Sequence, residues 1–269
     1  MESTPSHGPA PSARPVAPYV GGKRNLAGRL AKLIESAPHD LYAEVFVGMA
    51  GVFLRRRTRP QAEVINDWSR DVATLFRVLQ RHYVAFVDHL KFHITTRAEF
   101  ERLVVVDPDT LTDIERAARF LYLQRTAFGG KVTGRNFAMG LNGGRAARFD
   151  VTRLTPMLED LHARLAGVLI ERLPFADFIR RYDGQGVLFY LDPPYWGSED
   201  YYGETMFSRE DFGRLREALA GIKGRFILSI NDVPEIREIF AEFDVASADT
   251  VYGLAAAGAT QARELIIRN

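Results

Sequence analysis

Two consecutive prolines directly after an uncharged apolar run constrain this chain more than any other feature. Gly186-Val-Leu-Phe-Tyr-Leu191 reads as a strand buried on both faces, as in a parallel sheet. Pro193 and Pro194 cannot donate to a ladder, so the strand stops and a rigid, extended turn follows. Asp192 and Tyr195 flank that turn. A carboxylate, a stiff backbone carbonyl and an aromatic ring are therefore held at a strand's C-terminal edge, where open α/β sheets bind ligands. The set suits a flat amino-heterocycle, whose exocyclic amine offers two N–H bonds and whose ring can stack. The plainer alternative is a strand closed by a proline turn with a capping Asp.

The rest of the chain reads as α/β. Leu41 to Phe46 and Ala62 to Asn66 are expected as strands, as are Val168 to Leu173, Gly224 to Ile230 and Glu264 to Arg268. Val72, Leu75, Phe76, Leu79 and Val87 fall at helical spacing and predict one long helix. Thr112-Asp-Ile-Glu115 is a capping box, Thr155-Pro156 starts a further helix, Ser208 to Asp211 caps another and Pro234 opens the last. Alternating strands and helices predict a doubly wound, parallel, Rossmann-like sheet. With 269 residues the chain suits one such domain (18–76 plus 166–269) split by a mostly helical insertion (77–165). Residues 1–17, rich in Pro, Ser and Ala, are expected to be a disordered tail and not a signal peptide.

Composition excludes more than it assigns. The chain has no cysteine, which rules out disulfides, thiolate metal sites and a thiol nucleophile of the kind cytosine-C5 methylation needs. Its six histidines are scattered, and no metal site is expected. A formal charge of +1 neither demands nor excludes nucleic acid, because a local patch is what binds phosphate. No run is long enough to span a bilayer, so a cytoplasmic protein without membrane contact is expected, as a monomer or weak dimer.

Two further places suit a ligand. Gly48 and Gly51 lie where the first strand turns into a helix, and a missing Cβ lets a ligand approach the backbone there. Gly48-Met-Ala-Gly51 lacks the spacing of a dinucleotide fingerprint. Asp67 follows the second strand, where a carboxylate can accept ribose hydroxyls or simply cap the next helix.

Six blocks, in order, resemble one family. They are Pro18-Tyr-Val-Gly-Gly-Lys23, Glu44-Val-Phe-Val-Gly48 with Gly51-Val-Phe-Leu54, Asn66-Asp67, Asp192-Pro-Pro-Tyr195, Leu228-Ser-Ile-Asn-Asp232 and Glu264-Leu-Ile-Ile267. They are similar to the Dam-type (D12 class) adenine-N6 DNA methyltransferases, which use S-adenosylmethionine. The resemblance implies that Phe46 and Gly48 grip the cofactor's methionine part, that Asp67 holds its ribose, and that Tyr19 and Lys23 line its pocket, with Asp192 bordering it. Lys23 has a second reading, as a contact to DNA phosphate. The family's second glycine is Ala50 here, and a modest cost in cofactor fit is expected.

The resemblance also implies a mechanism on duplex DNA. The Asp192 carboxylate and the Pro193 carbonyl would accept the adenine amine's hydrogens, freeing its lone pair for attack on a methyl group, while Tyr195 stacks on the base. Trp196 and Tyr202 are either pocket lining or core. The glycine-punctuated stretch from Gly129 to Arg148 carries Lys131, Arg135, Arg145 and Arg148, either as DNA contacts or as a plain surface loop. Arg55 to Arg57 with Arg59 reads first as a solvated helix end. Alternatives are a cytosine-N4 or RNA amino-methyltransferase, or a nucleic-acid-binding module without turnover.

Overall fold

The computed structural model describes residues 8–19, 21, 23, 25–130, 132–138, 148–198, 206–252 and 260–269. After β1 (Gly8–Pro9) come α1 (Ala27–Ser36), β2 (Leu41–Glu44), β3 (Thr58–Arg59) and β4 (Ala62–Asn66). Five helices follow: α2 (Arg70–Arg81), α3 (Tyr83–Leu90), α4 (Arg97–Val105), α5 (Asp113–Thr126) and α6 (Val151–Arg164). The chain then alternates through β5 (Leu169–Glu171), α7 (Phe175–Tyr182), β6 (Val187–Leu191), α8 (Glu210–Ala220), β7 (Arg225–Asn231) and α9 (Pro234–Ile239). It closes with β8 (Asp244–Tyr252) and β9 (Thr260–Arg268). Among the described residues no helix is long and apolar enough to cross a membrane.

One seven-stranded sheet has the order β5-β4-β2-β6-β7-β9-β8. Five strands are parallel, and every residue of β6 is buried, as an uncharged run in a sheet covered on both faces must be. From β2 the chain steps outward through β4 to β5, then returns to lay β6 on the other side of β2 and steps outward again. The winding reverses between β2 and β6, and the crevice for a ligand opens there. The sheet is not wholly parallel. β9 runs antiparallel to β7, and β8, which the sequence did not signal, runs antiparallel to β9.

Four expectations need correction. The proposed 1–17 tail is built into the fold from residue 8 onward. Gly8 and Pro9 pair with β3, Val16 is buried, and its carbonyl accepts from Arg125 Nη1 at 2.6 Å. Beyond the short β1–β3 pair, Pro and Ala in this segment form an extended strap without helix or strand. The long helix expected from Asp71 breaks at His82, whose φ of −126° is not helical, giving α2 and α3. α6 begins at Asp150, whose side chain caps it, and carries Pro156 inside. The helices of the insertion also share one apolar cluster with the sheet domain, joining Leu30, Phe53 and Leu75 to Phe86, Leu121 and Leu158.

Arg56 supplies the fourth correction, because it is buried within the run read as a solvated helix end. It pairs with Glu63 on β4, which also receives both terminal nitrogens of Arg164 at 2.7 Å. The guanidinium carbons of Arg164 and Arg56 lie 3.8 Å and 3.6 Å from the ring centroids of Phe53 and Tyr42. Burial alone would raise the Glu63 pKa, but the two arginines hold it below the usual carboxylate range. This triad ties the last insertion helix to the sheet. Glu63→Gln strands two guanidinium groups without their counter-charge and is expected to cost about 3–5 kcal/mol of unfolding free energy. Arg164→Met leaves Glu63 paired with Arg56 and should cost less. Denaturant unfolding of both variants checks the order.

Candidate active site

Parallel pairing fixes the geometry of the crevice. Glu44 sits opposite Tyr190, so the turns after β2 and β6 emerge side by side, with Val45 N–H donating to the Tyr190 carbonyl at 2.9 Å. A cleft of about 1160 Å³ opens over these ends. It is lined by Tyr19, Lys23, Glu44, Phe46, Gly48, Asp67, Trp68, Asp192 and Pro194, and on its outer side by strap residues that include Ser12 and Arg14.

The glycine turn is tightly specified. Gly48 has φ +49°, and a Cβ there would stand 3.1 Å from the Tyr19 ring, so only glycine lets the ring close over the turn. Gly48 N–H donates to Asp67 Oδ2 at 2.9 Å, and Ser69 N–H donates to Asp67 Oδ1 at 2.9 Å. Asp67 thus ties the two turns together while still facing the cleft. Ala50 has φ +60°, a left-handed conformation that costs a residue with a Cβ roughly 1–2 kcal/mol. The turn therefore keeps a glycine-like backbone although alanine occupies it.

The second wall is built around Lys23. Its Nζ lies 2.9 Å from Asp192 Oδ1 and 2.8 Å from Glu264 Oε2, and it donates to the Tyr195 hydroxyl. Lys23 is buried, which removes the reading of it as a solvated or phosphate-bound lysine. Burial raises the Asp192 pKa to about 7, with Lys23 pulling it down and Glu264 pushing it up. Burial likewise raises Glu44 to about 8, against the hydrogen bond donated by Tyr42. Asp67 is raised to about 6 by burial, offset by the Gly48 and Ser69 N–H groups.

Of the residues singled out in the sequence, Tyr19, Lys23, Phe46, Gly48, Asp67 and Asp192 converge on one cleft. Pro193 and Tyr195 belong to the same turn, and Tyr195 reaches Lys23. Tyr190 is core, its hydroxyl hydrogen-bonded to Ser229 Oγ at 2.8 Å. The basic residues of the insertion are not gathered here. Lys131 and Arg145 lie outside the described residues, as does Tyr202. Arg135 is half-buried, donates inward to Gln124 Oε1 at 3.1 Å, and has its pKa lowered to about 10 by burial. Arg148 is half-buried, and its carbonyl accepts from Arg125.

Sequence reasoning assigned no role to four residues that shape the site. Glu44 is a charge in an otherwise apolar strand run and Glu264 stands at the head of another, which is the signal that could have marked them. Trp68 is 38% exposed at the cleft's edge, next to the Asp67 signal. Asn231 at the end of β7 clamps the proline turn, accepting from Trp196 N–H at 3.0 Å and donating to its carbonyl at 3.1 Å.

The family model of the D12 class N6 adenine-specific DNA methyltransferases matches residues 19–254, a span that includes both turns and the strands that carry them. The chain belongs to this family. Relatives include the type II methyltransferase M.CviBI of Paramecium bursaria Chlorella virus NC1A, 24% identical over 84% of this chain and 86% of its own. The type II methyltransferase M1.LlaDCHI of Lactococcus lactis subsp. cremoris is 25% identical over 95% of both chains. The DNA N-6-adenine-methyltransferase of Escherichia phage P1 is 27% identical over 84% of this chain, but over 31% of its own length. Among solved structures, a precorrin 8W decarboxylase from Methanobacterium thermoautotrophicum overlays 96% of this chain and 95% of its own at 12% identity and a TM-score of 0.41.

Within this adenine-specific DNA methyltransferase, Asn231 ties the proline turn to β7. Asn231→Ala removes both hydrogen bonds to Trp196, so a stability loss of about 1–3 kcal/mol is expected. A thermal melt measures it. An unchanged Tm would show that the two prolines hold the turn unaided.

Proposed function

We propose that the cleft binds S-adenosylmethionine between the Gly48 turn and Asp67, and that an adenine extruded from duplex DNA enters beside it against Asp192, Pro193 and Tyr195. The observation that carries this reading is the convergence of the Asp67, Gly48 and Asp192 turns on one cleft across the β2–β6 reversal. Its residues fit the cofactor. The close packing of Tyr19 on Gly48 leaves the turn's backbone near the ligand space, and Asp67 faces the cleft with two carboxylate oxygens. When bound, the cofactor supplies an electrophilic methyl group on a sulfonium.

The chain's own residues do the rest. Asp192 and the Pro193 carbonyl accept the two amine hydrogens and draw the nitrogen toward a tetrahedral geometry with its lone pair available. The proline pair fixes both acceptors, so little entropy is lost when the base arrives. Tyr195 stacks on the base, and about 1–3 kcal/mol of stacking offsets the few kcal/mol that extrusion costs. We assign phosphate contact to Lys131, Arg145 and Arg148 of the glycine-punctuated segment, because Coulombic contacts can follow a backbone without base specificity; Arg135, expected with them, is instead turned inward to Gln124.

The deciding experiment is methyl transfer to adenine-containing duplex DNA, read by mass spectrometry of nucleosides. The parent should produce N6-methyladenine and Asp192→Ala should produce none, while its cofactor affinity changes modestly. Because the amine needs an ionised acceptor, kcat/KM should rise with pH through about 7, the value to which burial raises Asp192. A flat profile between pH 6 and 8 would remove Asp192 from that role.

Asp67 provides an independent check. Asp67→Ala should weaken S-adenosylmethionine binding at least tenfold in calorimetry, since a charge-assisted hydrogen bond contributes roughly 1.5–3 kcal/mol. DNA affinity should hold. An unaltered cofactor Kd would reduce Asp67 to a brace for the Gly48 turn.

A further inference from the structure

A buried ammonium shared by two carboxylates is unusual enough to need a reason, since each charge loses hydration on burial. Lys23 comes from the segment preceding α1, Asp192 from the turn after β6 and Glu264 from β9, and Lys23 and Glu264 are 4% and 1% exposed. Glu264 reaches the ligand edge because β9 is antiparallel: it pairs with Asn231, the last residue of β7. Parallel pairing over the same residues would instead set Arg268 beside Asn231 and carry Glu264 to the far end.

We propose that Lys23 and Glu264 are a positioning pair that sets the charge of Asp192: Glu264 anchors the Lys23 ammonium, and the ammonium keeps Asp192 an acceptor for the adenine amine. The proposal rests on the amine-accepting role given to Asp192 above and adds the groups that maintain it. Lys23 engages Oδ1 of Asp192, which leaves Oδ2 for the amine. A lysine side chain is long and flexible, and holding its head group in one place costs rotamer entropy. Two further partners, Glu264 and the Tyr195 hydroxyl, define that place. The backbone contributes as well, because the Lys23 carbonyl accepts from Ala27 N–H at 2.6 Å at the start of α1.

The surrounding charges make a cation necessary. Asp192 is faced by Glu44 from β2, Tyr190 from β6, Glu264 from β9 and Lys23 from the N-terminal segment. The first three are acidic groups, and desolvation already favours the neutral carboxyl. Of the groups named, only Lys23 favours the ionised form.

The test is a ¹³C NMR titration of the Asp192 carboxyl in aspartate-labelled full-length protein without DNA, its signal assigned by loss in Asp192→Asn. Lys23→Met should move the midpoint up by about one to three pH units, the usual effect of losing an opposite charge at contact. Glu264→Gln keeps an oxygen for Lys23 but removes a like charge, so its midpoint should move down. Lys23→Arg should stay close to the parent. The acid limb of methyl transfer should shift in the same opposite directions. If Lys23→Met does not fold, Lys23→Gln, which keeps a polar head group but no charge, decides alone: an upward shift supports the pair, and an unmoved or downward midpoint overturns it. Midpoints moving together in both variants would also overturn it. A parent without methyl transfer would defeat the functional assignment but leave the titration readable, so the two failures are distinct.

Discussion

The parallel register between β2 and β6 is the constraint on which the site depends. Glu44 opposite Tyr190 forces the two following turns to leave the sheet together. Neither turn would suffice alone. In the proposed reading, the Gly48 turn would offer space and backbone to the cofactor but no acceptor for the amine, and the proline turn would offer acceptors but no room for a second ligand. Their adjacency follows from the reversal of winding, in which the chain returns from β5 at the sheet's edge through α7 to lay β6 beside β2. The helical segment lies elsewhere, in the crossover from β4 to its parallel neighbour β5, a connection that must leave the sheet in any case.

That helical segment is bound to the sheet domain by more than its two crossings. Arg164 reaches Glu63, Gln80 Nε2 donates to the carbonyls of Leu165 and Val168 at 2.7 and 2.8 Å, and the N-terminal strap is gripped by Arg125 and Gln124. Gly130 is part of this grip: with φ +66°, any Cβ would lie 2.8 Å from the Pro18 carbonyl carbon. Strap, insertion and sheet therefore meet just behind Tyr19, whose ring covers the Gly48 turn. A disturbance of the insertion has a short physical route to the cleft through Gly130, Pro18 and Tyr19.

Much of this was legible in the sequence, for identifiable reasons. β6 and its turn were plain because a fully buried strand must be uncharged and two prolines must end it. The capping box at Thr112 was equally plain and is present with both of its hydrogen bonds. Elements fixed by distant contacts were not legible. β8, half-buried and polar in part, owes its existence to nine residues of pairing with β9, which no local pattern announces. The strap resembles a disordered tail in composition because its order comes from bonds to α5. Arg56 sat in a basic run, and only the aromatic rings of Tyr42 and Phe53 with Glu63 reveal why one of those arginines is inside. At the site the proline turn and Asp67 were readable from their places after strands, whereas Glu264 needed the antiparallel direction of β9.

The ligand edge is therefore more acidic than its sequence blocks suggest. Glu44, Asp67 and Asp192 line the cleft together with Lys23, and Glu264 is buried against Lys23. Burial raises the pKa values of Glu44, Asp67 and Asp192 to different extents, to about 8, 6 and 7. Burial therefore holds all three back from ionising near neutral pH. A positively charged methyl donor would draw Asp67 and Asp192 toward the ionised form, since an opposite charge nearby lowers a carboxyl pKa. By linkage, the ionised carboxylates would favour that donor equally, so cofactor binding and readiness of the amine acceptor reinforce one another.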